Sequence, residues 1–179
     1  MTLHIRLVEP HDDLAALGLI IQKSYFTLPG YPRDPDYDLK LADVGSRLEQ
    51  AEVWAAFLDD RPVGCLTFTA EVNSEHAEHG DSDASTFRYF GVDATAQGSG
   101  VGTAMVNKVI HRTVECGRRR IRIHTLQMMT SAQRLYERLG FVRDPNYDAL
   151  WDDVVGLAYR YDIDVDAVPR LVTDHHETA

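Results

Sequence analysis

The residues of this chain best suited to chemistry are the glycines of Phe90-Gly91-Val92-Asp93-Ala94-Thr95-Ala96-Gln97-Gly98-Ser99-Gly100-Val101-Gly102-Thr103. A strand-like segment enters this turn and a long helix-forming segment leaves it. Glycine adopts backbone conformations closed to other residues, so a turn this rich in it folds into a concave nest of N–H groups. The positive end of the following helix faces the same point, and an anion, phosphate above all, is the expected ligand. The spacing excludes two kinds of phosphate loop. A nucleoside-triphosphate loop needs Gly-Lys followed by Ser or Thr, whereas Thr103 follows Gly102 directly and no lysine occurs until Lys108. A dinucleotide loop spaces its glycines G-x-G-x-x-G on the first strand of a parallel unit. Here Thr103 stands where the third glycine belongs, and several elements precede the turn. What remains is Gln-x-x-Gly-x-Gly at Gln97, Gly100 and Gly102, with the amides of Gly98, Ser99, Gly100, Val101, Gly102 and Thr103 as phosphate donors.

One predicted strand later comes Ala132-Gln133-Arg134-Leu135-Tyr136-Glu137-Arg138-Leu139-Gly140-Phe141. This segment is similar to the A-x-x-L-Y-x-x-x-G-F signature of the GCN5-related N-acetyltransferases (GNAT), and the glycine turn resembles their acetyl-CoA pyrophosphate loop, in the same order. The resemblance extends over the predicted elements from Leu3 to Asp162 and is motif-grade from Thr86 to Phe141. It implies a single-domain α/β (α+β) fold, a mixed, splayed sheet of about six to seven strands flanked by about four helices. Residues 1–168 would form the domain, with acetyl-CoA as co-substrate in the gap between the fourth and fifth strands. It further implies a bulged strand before the turn that aims the backbone N–H of Phe90 at the thioester, with Val92 pairing to the pantetheine arm. Gly91 agrees with this, because a lone strand glycine marks a bulge or the close approach of another backbone. Gln97 then shapes the loop. Met129 stands where many relatives place an asparagine on the cofactor, and Ala132 opens the signature helix beside it; Thr130 or Ser131 is expected to cap that helix.

Outside its motif, Tyr136 would read as a core tyrosine on an apolar helix face. Within it, Tyr136 is the candidate general acid, a phenol that returns a proton to the departing thiolate. The base is open. Many relatives carry a glutamate near the start of the fourth strand, where this chain has Thr86; Glu71 acting through water and His124, with an ordinary pKa near ~6.5, are the alternatives. By family analogy the Pro29–Tyr37 loop walls the acceptor side with Tyr31 and Tyr37. Asp34, Asp36, Asp38 and the acidic segment Asn73–Ser85 suggest a mouth that tolerates a cationic amine. Direct acetyl transfer to a small-molecule or peptide amine in a ternary complex is the leading reading. A noncatalytic acyl-CoA-binding module and a transferase of another acyl group or acceptor stand beside it. No metal is expected: His76 and His79 fall in a predicted loop without H-E-x-x-H spacing, and Arg118-Arg119-Arg120 reads as a solvated basic turn.

Alternating strands and helices must position these residues. Leu3–Val8 alternates as a strand, and Leu14, Leu17, Ile21 and Tyr25 share one helical face. The prolines of residues 29–35 break the chain before a short helix over Leu39–Leu48. Glu52–Leu58 and Pro62–Glu71 form a hairpin, Asn73–Ser85 reads as an exposed, mobile connection, and Thr86–Val92 feeds the glycine turn. The helix Gly102–Cys116, the strand Ile121–Leu126, the helix Ser131–Leu139 and the strands Phe141–Arg143 and Gly156–Asp162 complete the pattern, with 169–179 a frayed tail.

Composition bounds the setting. With 179 residues, 44% of them hydrophobic, the chain can bury one proper core. A net charge of -10 opposes nonspecific binding to nucleic acid or an anionic membrane. Cys65 and Cys116 offer no disulfide framework, and neither a leader nor a run of ~18 apolar residues is evident. The expectation is a cytoplasmic monomer or homodimer with reduced thiols.

Overall fold

The structure, a computed structural model, describes residues 2–78 and 81–164. The expected frayed tail at 169–179 and His79 lie outside the described residues. Strand β1 (Leu3–Leu7) leads to α1 (Leu14–Phe26), where the Asp13 carboxylate accepts from the Ala16 amide and Leu17, Ile20, Ile21 and Tyr25 are buried. Next comes α2 (Pro35–Ala42). The proline expected to end the break instead starts this helix, because its fixed φ and missing N–H suit a first turn, and Asp34 accepts from the amides of Asp36 and Tyr37. Asp43 leaves helical geometry and caps a separate four-residue helix, α3 (Val44–Arg47), so the single helix expected over Leu39–Leu48 is two.

The hairpin pairs β2 (Glu52–Leu58) with β3 (Arg61–Thr69), and Asp59 and Asp60 at the turn both hold positive φ, the conformation that matches strand twist. β4 (Ala84–Val92), α4 (Val101–Glu115), β5 (Arg120–Leu126), α5 (Thr130–Arg138), β6 (Val142–Arg143), β7 (Ala149–Trp151) and β8 (Val154–Asp162) follow. The sheet has 8 strands in the order β1-β2-β3-β4-β5-β8-β6, and β7 also pairs with β8. All neighbours are antiparallel except β4 and β5. β7, at three residues too short to show a period, is absent from the sequence reading. No described helix is long and apolar enough to cross a membrane.

The sheet separates two cores. Met105, Val106 and Val109 of α4 pack with Phe68, Phe87, Ile121, Ile123, Tyr136 and Phe141 in one. Leu17, Ile21 and Tyr25 of α1 pack with Leu41, Val53, Cys65 and Tyr89 in the other. Gly91 is what lets α1 lie on β4: a Cβ there would stand 2.9 Å from Ile21 Cα and 3.1 Å from the Ile20 carbonyl oxygen. Those are backbone atoms, so the helix itself must move. Gly91→Ala is therefore expected to cost about 2 kcal/mol, a fall in Tm of roughly 4–8 °C in thermal unfolding. An unchanged Tm would show that α1 retreats freely.

Candidate active site

β4 and β5 share a ladder only at Ala84–Arg120 and Ser85–Ile121, then part. The gap holds a cleft of about 610 Å³, partly open to solvent. Phe87, Arg88, Tyr89 and Phe90 line its β4 wall, and His124, Thr125 and Leu126 its β5 wall. Met129, Ala132 and Tyr136 close it from the start and body of α5, Tyr25 and Tyr37 from α1 and α2, Glu78 from the connection before β4 and Trp151 from β7.

The β4 wall is irregular. Its register passes from Thr67–Arg88 to Cys65–Gly91, so two residues, Tyr89 and Phe90, face one residue of β3. Tyr89 has φ 51°, a left-handed conformation that costs a non-glycine residue about 1–2 kcal/mol. The expected bulge is present at Tyr89 and Phe90; Gly91, which pointed to it, answers instead to the close approach of α1. The bulge leaves Tyr89 and Phe90 outside the regular ladder, and both line the cleft.

At the end of β4 the chain makes a short 3-10 turn, with Asp93 accepting from the Thr95 amide, and reaches the glycines. Gln97 Nε2 donates to the Val92 carbonyl at 3.2 Å and Ser99 Oγ to the Ala96 carbonyl at 2.6 Å, so both side chains brace the turn. Gly98 and Gly100 hold φ of 78° and 90°, and added Cβ atoms would meet nothing within 4 Å. Their role is conformational. Gly100 is the N-cap of α4 and no side chain caps it, which leaves the opening amides of Val101, Gly102 and Thr103 without a carbonyl one turn earlier. No acidic residue occurs from Ala94 to Thr103, so the turn suits a pyrophosphate. Gly102 differs: its Cβ would press on Leu135 Cδ2 at 3.3 Å, binding the turn to α5.

Tyr136 is 5% exposed, among the rings of Phe87 at 5.8 Å, Phe141 at 5.5 Å and Tyr159 at 6.2 Å. Among the described residues nothing hydrogen-bonds its hydroxyl, and burial raises its pKa, which keeps the phenol protonated at neutral pH. Helix α5 begins at Thr130 with Met129 as N-cap, so neither Thr130 nor Ser131 caps it; Gln133 Nε2 instead donates to the carbonyls of Leu126 and Gln127.

The two base candidates part company. Glu71 is exposed and lines a separate shallow depression beside Thr86, outside the cleft. His124 lines the cleft, with Nδ1 on a Glu78 carboxylate oxygen and Nε2 2.7 Å from the Tyr147 carbonyl. Carboxylate and carbonyl only accept, so the ring that serves both is an imidazolium. Burial lowers the His124 pKa, but the hydrogen bond and charge of Glu78 outweigh it and the net shift is upward. Because the folded value lies above the unfolded ~6.5, the pair's stabilisation is present below that pH and is lost as pH rises through the folded value. Glu78→Gln is expected to remove this part of the decline in Tm between about pH 6 and 9, read as the difference between variant and wild type. Parallel Tm curves would show that Glu78 does not hold the His124 proton.

Sequence reading had left Glu78 in an exposed, mobile segment. Its side chain is 8% exposed, and Arg118 secures the same connection through the Ala70 and Ser82 carbonyls. Arg118 is thereby a structural latch. Tyr25, Arg88 and Trp151 were missed likewise, because the partners that bring them to the cleft are distant in sequence. Tyr37 lines the cleft, whereas Tyr31 stands behind, edge-on to Tyr25 at 5.7 Å with its hydroxyl donating to Asp38. Of the acidic residues expected at the mouth, Asp34 caps α2, Asp38 pairs with Arg33, and Asp81 pairs with Arg122. His76 is buried against Gln50, and no group of metal-ligating side chains occurs among the described residues. Burial pushes the Cys65 thiol up to about 12, so it offers no nucleophile.

The acetyltransferase (GNAT) family profile matches residues 18–141. A putative acetyltransferase from Salmonella typhimurium, yncA, solved with acetyl-CoA, is 18% identical, with 96% of this chain and 99% of that one covered and a TM-score of 0.66. A GCN5-related N-acetyltransferase from Kribbella flavida is 20% identical over 90% and 98% of the two chains, TM-score 0.65. The ribosomal-protein-S18-alanine N-acetyltransferase of Escherichia coli is 19% identical over 90% and 94%, TM-score 0.65. Among curated proteins none matches the sequence.

Proposed function

Because the chain belongs to the acetyltransferase (GNAT) family, we propose that it transfers an acetyl group from acetyl-CoA directly to a primary amine of a small molecule or peptide, in a ternary complex. The observation that carries this reading is the bulge at Tyr89 and Phe90, which opens on the same cleft as Tyr136. Acetyl-CoA supplies the acetyl group as a thioester. The amides from Gly98 to Thr103 hold its pyrophosphate, with Gln97 bracing the turn, and the backbone of Val92 pairs with its pantetheine arm. Met129 and Ala132 flank it. The Phe90 amide, fixed by the bulge, is a donor placed before reaction where negative charge develops on the carbonyl oxygen. Tyr136 keeps a proton for the departing sulfur. Glu78, the carboxylate that lines the cleft, receives the proton of the amine, directly or through water, and His124 holds Glu78 in place; Glu71 lies outside. Neither Ser24, whose hydroxyl donates to the Ile20 carbonyl, nor Cys65 is poised to form an acyl-enzyme.

Thiol release from acetyl-CoA in the presence of a panel of amines tests the reading. Turnover on at least one amine is expected. Acetyl-CoA binding with no turnover across the panel would make the chain an acyl-CoA-binding module.

A further inference from the structure

We infer that the acceptor amine carries a carboxylate on a neighbouring carbon, as an amino acid does, and that Arg88 is its anchor. The inference rests on the acetyl-transfer reading and names the substrate class of the same cleft. Three of the residues lining the cleft are charged: Glu78, Arg88 and His124. With His124 donating to two acceptors, these sum to one net positive charge, inside a chain whose net charge is -10. Arg88 carries the surplus. Its Nε stands 3.7 Å from Glu78 Oε1, beyond hydrogen-bond length, and the other Glu78 oxygen serves His124. Among the described residues no protein group accepts a hydrogen bond from the Arg88 guanidinium, whose side chain is 28% exposed. A planar fork of donors left open in a cleft is built to take a carboxylate.

One further feature points the same way. Arg47, 3% exposed, lies over the Tyr89 ring at 4.7 Å with its Nε unpartnered among the described residues, and Arg88 approaches that ring at 5.5 Å, so a second, buried cation backs the cleft wall. The net positive charge disfavours a bare ammonium and admits an amine whose own carboxylate offsets it.

The test measures acetyl-CoA thiol release with matched amines: phenylalanine and leucine, their amides, and the decarboxylated amines. The wild type is expected to show kcat/KM at least about tenfold higher for the carboxylate-bearing member of each set. Arg88→Gln is expected to raise KM for that member about tenfold, with a far smaller rise for the amides, and Arg88→Lys to restore part of the loss. Acetyl-CoA binding by calorimetry should be the same in all three proteins. Preference for the amides or decarboxylated amines, or an equal rise in KM for every member, overturns the inference alone. Acetyl-CoA binding with no turnover on any amine overturns it together with the transfer reading.

Discussion

Gly100→Asp is expected to abolish acetyl-CoA binding, weakening it at least about 100-fold, while the protein stays folded. Gly100 is the N-cap of α4 with φ 90°, and the space where a Cβ would go is open, so no packing is disturbed. Aspartate tolerates left-handed backbone better than most residues and is a favoured N-cap. Its carboxylate would accept from the Gly102 or Thr103 amide, the same donors the pyrophosphate needs. The substitution thus seats a permanent anion in the phosphate site and repels the one that should enter. Gly100→Ala separates the causes, since it pays the left-handed strain of about 1–2 kcal/mol but brings no charge and should bind measurably. Calorimetric titration with acetyl-CoA decides the matter: micromolar binding retained by Gly100→Asp would remove the phosphate from this turn.

Tyr136→Phe is expected to lower kcat about 10- to 100-fold, leaving KM for acetyl-CoA and Tm nearly unchanged. Removing the hydroxyl orphans no protein group, because none among the described residues is bonded to it, and the ring contacts with Phe87 and Phe141 survive. The thiolate is a tolerable leaving group, which limits the loss. Burial keeps the phenol protonated well above neutral pH, so the wild-type rate should show no loss from Tyr136 ionisation through about pH 9. An unchanged rate in Tyr136→Phe across that range would return Tyr136 to the core.

What was legible in the sequence was local. The glycine turn and the Tyr136 helix are short because the chemistry they serve, backbone donors for a phosphate and a phenol near a sulfur, is assembled within one or two turns of chain. Strand and helix periods recovered most elements for the same reason. The bulge includes Phe90, the residue to which the resemblance points, but Gly91 reports the backbone of α1 and the positive φ of Tyr89 leaves no mark in residue type. The amine side was hidden more deeply. Glu78 sits in a polar stretch that reads as solvent-exposed, and its burial comes from His124, 46 positions on, and from Arg88. No local pattern encodes such a pairing. Likewise, acidic residues that looked like an electrostatic mouth are engaged by Arg33, Arg122 and a helix start.

The ladder between β4 and β5 ends after Ser85 and Ile121, and this has a mechanical consequence. Across the 8 strands it is a seam, with little backbone bonding to hold the two halves in register. Past that point side chains such as Phe87, Ile123 and Tyr136 tie the halves together. Opening fluctuations concentrate where cooperative bonding is thinnest, so the softest line in the molecule runs through its cleft. The pantetheine arm proposed to bond the exposed edge of β4 would act there as a suture, and the mechanical integrity of the sheet would then depend on cofactor supply.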